Sequence, residues 1–403
     1  MRIAMISEHA SPLAVLGTID AGGQNTHVAA LAQALGARGH DVRVYTRRDA
    51  VELPERVAFA ANVEVAHVPA GPARPVPKDE LRPFMEPLGD WLASRWQAEG
   101  WIPDIIHAHF WMSGVAALRA ADPWRLPVVQ TFHALGVVKR RHQGAADTSP
   151  PERLNDERML CQRLTGVVAQ CRDEIRELRR LELAPEKVTL IPSGVDLVRF
   201  QSTGPAAPRS QRRRVIAVGR LVERKGHADL IRAMCRVPDA ECVIIGGPVL
   251  AELDDDPVAR ELRALATQLG LADRVRLTGQ IPAEQMPHWY RSADVLVCPP
   301  WYEPFGLTPL EAMACGLPVV ATAVGGHTDT VAPGITGDLV PARDPDALGR
   351  TIQDLLSDGV RHRAYSRASL RRVRTRYGWD HCATRMESMY RRIAAHTLTE
   401  VTA

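Results

Sequence analysis

The stretch Pro299-Pro300-Trp301-Tyr302-Glu303-Pro304-Phe305-Gly306-Leu307-Thr308-Pro309-Leu310-Glu311-Ala312-Met313-Ala314-Cys315-Gly316 holds the densest chemistry in this sequence. Glu303 sits in a proline-bracketed turn after an apolar run, and Glu311 falls one or two turns into the next helix. Two carboxylates hydrolyse a glycosidic bond when they flank it at roughly 5 to 10 Å. A turn Glu and a mid-helix Glu are better placed to grip hydroxyls of two different sugars. Phe305, Gly306 and Leu307 lie where a helix N-terminus offers unpaired amides. The plain alternative is a surface turn followed by an amphipathic helix with Glu311 in solvent. Upstream, Gly219-Arg220-Leu221-Val222-Glu223-Arg224-Lys225-Gly226 closes another apolar run. Arg220 and Lys225 suit a diphosphate, whose developing charge they would stabilise as it leaves; the bland reading is a basic loop pairing with Glu223. Only four of the 50 basic residues are lysines (Lys78, Lys139, Lys187, Lys225), so each marks a position where a compact ammonium is not freely exchanged for a planar guanidinium. In the first half, Ser7-Glu8-His9 follows an apolar run, and Asp20-Ala21-Gly22-Gly23-Gln24-Asn25 opens a helix. Those glycines let an anion approach the backbone, or simply make a tight turn.

These residues must be carried by an α/β framework. Short β-branched runs alternate with helix-period stretches, the signature of a parallel sheet, and the pattern occurs twice. Strands are expected at 3–6, 42–45, 63–68, 105–108, 128–131, 167–169 and 188–191, then at 215–218, 242–245, 275–277, 295–298 and 319–321. Helices are expected at 26–37, 80–97, 346–356, 361–376 and 379–395. Residues 202–214, rich in Pro, Ala, Gly and Arg, read as a linker between a first domain, 1–201, and a second, 215–376. The helix within 377–403 is expected to return to the first domain. Two Rossmann-like, doubly wound sheets facing across a cleft would bind ligands outside the carboxyl ends of their strands.

The 403 residues carry 24% charged side chains and a net charge of +3, far from the basic excess that phosphate neutralisation along a nucleic acid demands. No apolar run reaches the roughly 18 to 20 residues that span a bilayer, and Met1 opens directly into a strand, which points to a cytoplasmic protein. Seven cysteines without a CxxC pair argue against a disulfide framework or a structural zinc and suggest buried apolar positions. Asp254-Asp255-Asp256 leads a helix and reads as its N-cap rather than a metal-binding turn. Neither half shows GxGxxG with an acid about 20 residues on, which disfavours a dinucleotide-dependent oxidoreductase. A non-catalytic nucleotide-sugar-binding protein stays open.

Gly219-Arg220 with Lys225-Gly226, Glu303 to Leu307 with Glu311, and Ala323-Val324-Gly325-Gly326 together resemble the donor-site signature of a large retaining family, glycosyltransferase family 4 with the GT-B fold. His9 to Leu13, Asp20 to Asn25, His107-Ala108-His109-Phe110-Trp111-Met112-Ser113-Gly114 and Thr131-Phe132-His133-Ala134-Leu135 resemble its subgroup of sucrose-phosphate synthases and inositol-phosphate N-acetylglucosaminyltransferases. The resemblance implies a hexose moved from an NDP-sugar, UDP by preference, to a small polar acceptor, without a catalytic metal. Arg220 and Lys225 would hold the diphosphate, Glu303 the transferred sugar, Glu311 the ribose, and the Phe305, Gly306 and Leu307 amides other oxygens. Gly23 would close over the diphosphate, and His133 would meet the sugar near its anomeric carbon. His9, Asn25, Lys78, Phe110, Ala134 and Arg153 would form the acceptor pocket. Phe110 and Ala134 stand where the inositol-phosphate branch has a Tyr and a Thr, removing two hydroxyls worth roughly 1.5 to 3 kcal/mol each to a charged oxygen. An unphosphorylated polyol, cyclitol or sugar is therefore expected, the alternative being a phosphorylated one.

Overall fold

The computed structural model describes residues 1–14 and 22–402, the last six by backbone alone. The chain divides into two units: Met1–Ser193 with the segment from Trp379 onward, and Gly194–Gly378. The division falls at 193/194, and residues 202–214 lie wholly inside the second unit. Arg214, near the end of that stretch, is buried with its guanidinium on Glu241 at 2.6 Å and Ser292 at 2.7 Å.

Among the described residues the first unit carries β1 (Arg2–Ile6), β2 (Asp41–Arg47), β3 (Arg56–Ala60), β4 (Val63–Val68), β5 (Ile105–His109), β6 (Val128–Thr131), β7 (Gly166–Ala169) and β8 (Val188–Leu190). Their order is β3-β4-β2-β1-β5-β6-β7-β8. All pairs are parallel except β3 with β4. The inner strands are apolar runs because helices cover both faces. On one face Met85, Leu88, Leu92 and Trp96 of the helix Met85–Glu99 pack with Ile106, Phe132 and Val167. On the other, Val28, Leu31 and Leu35 of the helix Gly23–Ala37 meet Ile3, Met5, Val129 and, from the helix Trp379–Thr402, Met386, Met389 and Tyr390. Each such side chain, fully buried, contributes about 1.5 to 3 kcal/mol of transfer free energy.

In the second unit, β9 (Arg213–Val218), β10 (Ala240–Ile245), β11 (Val275–Leu277), β12 (Val295–Cys298), β13 (Val319–Thr322) and β14 (Gly337–Val340) run parallel in the order β11-β10-β9-β12-β13-β14. In both sheets the order reverses beside the first strand, between β1 and β5 and between β9 and β12. A crevice at the carboxyl ends follows from that reversal.

Two strands lie outside the sequence expectation. β3 is an edge strand, half-exposed and turned back on β4 through Asn62 in the left-handed region (φ 58). β14 is four residues with a Gly and an Asp. The helix expected at 80–97 begins at Met85, since single turns of 3₁₀ helix at Lys78–Glu80 and Arg82–Phe84 precede it. Asp256 does cap its helix, accepting from the Ala259 amide at 2.7 Å. All seven cysteines are free; six are buried, but Cys235 is exposed, against the expectation. Among the described residues no helix is long and apolar enough to cross a membrane.

Candidate active site

In the second unit the chain leaves β9 through Gly219 and Arg220, makes a 3₁₀ turn at Glu223–Lys225, and enters the helix His227–Ala233 through Gly226. Gly226 is left-handed (φ 71), and a Cβ there would stand 2.0 Å from the Pro299 carbonyl oxygen. Only glycine lets this turn pack against the end of β12. Its reward is contact between loops: Lys225 Nζ lies 2.5 Å from Glu303 Oε2. The lysine's partner is therefore not Glu223. Gly325 plays the same part behind Glu303, since its Cβ would fall 1.9 Å from the Glu303 backbone carbonyl oxygen, and the Gly326 amide donates to that carbonyl at 3.0 Å. Burial pushes the Glu303 carboxyl up, but Lys225, Arg224 and His327 outweigh it and hold it down at about 2. Burial also lowers His227 and His327 to about 4, so both rings are neutral near neutrality. Lys225, His227, Glu303, Gly306 and His327 line one small pocket. The helix Leu307–Ala314 opens at this pocket with Gly306 as N-cap and no side-chain cap, leaving its first-turn amides for a ligand. Along it, Glu311 accepts from Tyr290 Oη at 2.7 Å, and burial raises its carboxyl above the usual range.

In the first unit the site elements are the ends of β1, β5 and β6. Phe110 follows β5 with φ 81, and His133 follows β6 with φ 59. Both are left-handed without being glycine, a strain that side chains bear at functional turns. Three charged or polar side chains surround the Phe110 ring: the His9 ring edge-on at 5.0 Å, Lys78 Nζ at 5.3 Å and Arg153 Cζ at 5.1 Å from its centroid. Arg153 is 2% exposed and its nitrogens are already used. Nε donates to Glu157 at 2.8 Å, Nη2 to the Ala134 carbonyl at 2.7 Å and Nη1 to Ser149 at 3.2 Å. Glu157 also accepts from the Gly136 amide at 2.9 Å, so the pair is electrically matched.

Beside this cluster four imidazoles gather. His107 is satisfied by Tyr390 Oη at 2.5 Å and Thr131 Oγ1 at 2.8 Å; His109 Nδ1 and His133 Nε2 share a hydrogen bond of 3.0 Å. His27 stands edge-on to His133 at 5.0 Å and bonds Ser193 at 2.8 Å. Burial takes His27 and His107 down to about 3 and His109 and His133 well below their ordinary value, so all four are neutral. Ring nitrogens of His27, His109 and His133 lie within 4.8 Å of one another, the one such grouping among the described residues that a metal could use. It offers no carboxylate to offset a dication.

Residues 201–372 match the family described as glycosyl transferases group 1, and residues 21–199 match glycosyltransferase family 4. A protein named D-inositol 3-phosphate glycosyltransferase from Xylanimonas cellulosilytica is 36% identical over 407 residues, covering 96% of each chain. One of the same name from Acidothermus cellulolyticus is 35% identical, covering 100% of this chain and 92% of its own. The sucrose-phosphate synthase of Thermosynechococcus elongatus, 32% identical, superposes with a TM-score of 0.88 over 98% of this chain and 100% of its own. The chain belongs to the family 4 glycosyltransferases. Its two Rossmann-like units are those of the GT-B fold.

Within this glycosyltransferase the residues expected at the donor fall together. Lys225, Glu303, Gly306 and Leu307 share one neighbourhood, Phe305 is buried beneath it, Arg220 is exposed at the end of β9, and Glu311 is on the adjoining helix. Gly23 is the exposed first residue of its helix. Asp20 and Ala21 lie outside the described residues. On the acceptor side His9, Lys78, Phe110, Ala134 and Arg153 cluster. Asn25 instead turns to its own loop, donating to the Ser11 carbonyl at 2.9 Å and accepting from the Gly22 amide at 3.0 Å, so both amide atoms serve the helix entry. Sequence reasoning missed Glu157, His327, Tyr290 and His27. Glu157 was discoverable, standing four residues after Arg153 on one helix face; the others carry no local signal.

Proposed function

We propose that this glycosyltransferase moves a hexose, with retention of configuration, from an NDP-sugar, UDP by preference, to a small polyhydroxylated acceptor. The observation that carries the reading is the Lys225–Glu303 pair beside the uncapped amides of Leu307–Ala314. A cation for phosphate, a carboxylate for sugar hydroxyls and free amides for further oxygens are the complement of such a donor. Lys225 and Arg220 would hold the diphosphate and Glu303 a sugar hydroxyl. Glu311, with one oxygen on Tyr290, would offer the other to the ribose. The Phe305, Gly306 and Leu307 amides, Gly23 and His133 keep the donor roles the resemblance implies. The acceptor hydroxyl enters on the face the phosphate leaves: one C–O bond forms at the anomeric carbon, one breaks, and the proton passes to the departing phosphate oxygen. Positioning and electrostatics then supply the catalysis. No step calls for a metal ion, since two guanidinium- and ammonium-bearing side chains meet the developing charge. The seven free cysteines suit a reducing compartment such as the cytoplasm.

For the acceptor we favour an unphosphorylated polyol, cyclitol or sugar lying against Phe110, because Glu157 neutralises Arg153 and neither Phe110 nor Ala134 brings a hydroxyl. A phosphorylated acceptor is the second reading. It is supported by the names of the relatives at 35 and 36% identity and by Lys78 at the ring. Thermal protection by a panel of UDP- and GDP-sugars tests the donor: a true donor at 100 times its dissociation constant adds about 2.7 kcal/mol, and no protection by any of them defeats the reading. Transfer to matched pairs, inositol against inositol phosphate and fructose against fructose 6-phosphate, tests the acceptor. A tenfold preference for the phosphorylated member, about 1.4 kcal/mol, would decide for the second reading.

A further inference from the structure

We propose that Glu8 is a positioning residue for the acceptor: it holds the His9 imidazole by Nδ1, so that Nε2 is the atom the ring presents beside Phe110. The inference rests on the placement of the acceptor against Phe110 and adds to it a buried carboxylate that acts only through its neighbour.

Glu8 leaves the central strand β1 with its side chain fully buried. Taking a carboxylate out of water costs several kcal/mol unless it is paired and hydrogen-bonded, and an apolar residue would fill this place more cheaply. Among the described residues no Lys or Arg forms an ion pair with it; its one ionisable partner is His9, with Nδ1 at 2.6 Å from Oε1. Its other oxygen, Oε2, accepts from the Ser113 hydroxyl. That hydroxyl's oxygen in turn accepts from the Glu8 amide at 3.1 Å, which fixes its proton on the carboxylate. The Glu8 carbonyl accepts from the Arg47 amide at 3.0 Å. Backbone and carboxylate are thus pinned from β2 and from the helix Trp111–Ala121.

A carboxylate that accepts from Ser113 accepts from His9 as well, so the proton sits on Nδ1. Nε2 is then the ring nitrogen left to meet an acceptor hydroxyl. Nε2 has no hydrogen-bond partner among the described residues, and the ring stands edge-on to Phe110 at 5.0 Å with 12% of its side chain exposed. Lys78 and Arg153 face the same ring. A hydroxyl-bearing ring beside Phe110 would meet one fixed ring nitrogen and one ammonium, a pairing that orients it. His9 alone could flip between tautomers; Glu8 removes that freedom.

The test uses Glu8→Gln, His9→Asn and the double variant in the full chain, with ¹⁵N spectra of the histidine side chains and initial rates at varied myo-inositol and fructose with UDP-glucose. The signal that disappears in His9→Asn identifies His9; it should report Nδ1–H in the wild type and a mixture of tautomers in Glu8→Gln. Glu8→Gln should lower kcat/KM for the acceptor by about tenfold, leave UDP affinity within about twofold, and add nothing to the loss in the double variant. Glu8→Asp, which keeps the charge but withdraws it from Nδ1, should give the same spectral change and serves should the amide variant fail to fold. An Nε2–H tautomer in the wild type, or an unchanged spectrum in Glu8→Gln and Glu8→Asp, would overturn the inference. A double variant showing the product of the two single losses would do the same. If His9→Asn lowers transfer and Glu8→Gln does not, Glu8 alone is misassigned. If His9→Asn has no effect either, the placement of the acceptor at Phe110 falls with it.

Discussion

The donor cluster of the second unit and the acceptor cluster of the first are built in opposite ways. Around Lys225 the groups meet directly across two loops, and the ammonium finds its carboxylate 78 residues away, at 2.5 Å. Gly226 stands inside the same motif as Lys225, and Gly325 in a third short motif downstream of Glu303. Around Phe110 the one strong cation, Arg153, is matched four residues along its own helix by Glu157, and what remains is a buried phenyl ring with a lysine over it and an imidazole edge-on to it. The contrast teaches that the first cluster is organised to hold charge and the second to hold shape.

Breaking the donor cluster should have the largest effect. Lys225→Ala is expected to lower turnover by about a hundred- to a thousandfold, as removal of a preorganised donor to a developing oxyanion does. Near-normal rates in a variant folded by circular dichroism would remove the charge-holding half of the contrast. Next, Glu157→Gln leaves a buried guanidinium without its anion and should cost about 3 kcal/mol in urea unfolding. In the protein that folds it should shift preference toward the phosphorylated member of each acceptor pair, since the charge on Arg153 is no longer offset by a carboxylate. A change is also expected from Phe110→Tyr with Ala134→Thr, which restores two hydroxyls and should raise that same preference by at least about tenfold. No change would mean that hydroxyls at these positions do not face the acceptor.

The smallest effect is on stability in acid. Glu303 is held at about 2, below its ordinary 4.5, so its ionised form contributes stability that is fully present above 4.5 and is lost as pH falls toward 2. Glu303→Gln has no such contribution to lose. Its Tm should therefore fall less than that of the wild type between about pH 5 and about pH 3. An equal fall in both would show that the Lys225 pair adds nothing to the folded state.

Much of the donor side was legible because its glycines, charges and helix start lie within short continuous stretches, 219–226 and 303–311. The acceptor side was legible only as a set of positions. That Arg153 is neutralised, that Asn25 serves its own loop and that Glu8 lies on His9 depend on side-chain directions no spacing prescribes. β14 escaped because a Gly and an Asp fill half of its four residues, and β3 because its half-exposed run 57–60 carries a single β-branched residue.

By itself the sequence determined the α/β class, the inner strands and the helices that cover them, because burial on both faces forces apolar runs whose period shows locally. It also determined which turns could approach closely, since only glycine permits the Gly226 and Gly325 contacts. The tertiary structure alone decided which charges are partners. Lys225 had Glu223 within reach along the chain and took Glu303. Glu8, with Arg47 on the neighbouring strand, took His9 and Ser113. Pairing of charges depends on distance and desolvation in three dimensions, and a linear sequence encodes neither until the strands are in order.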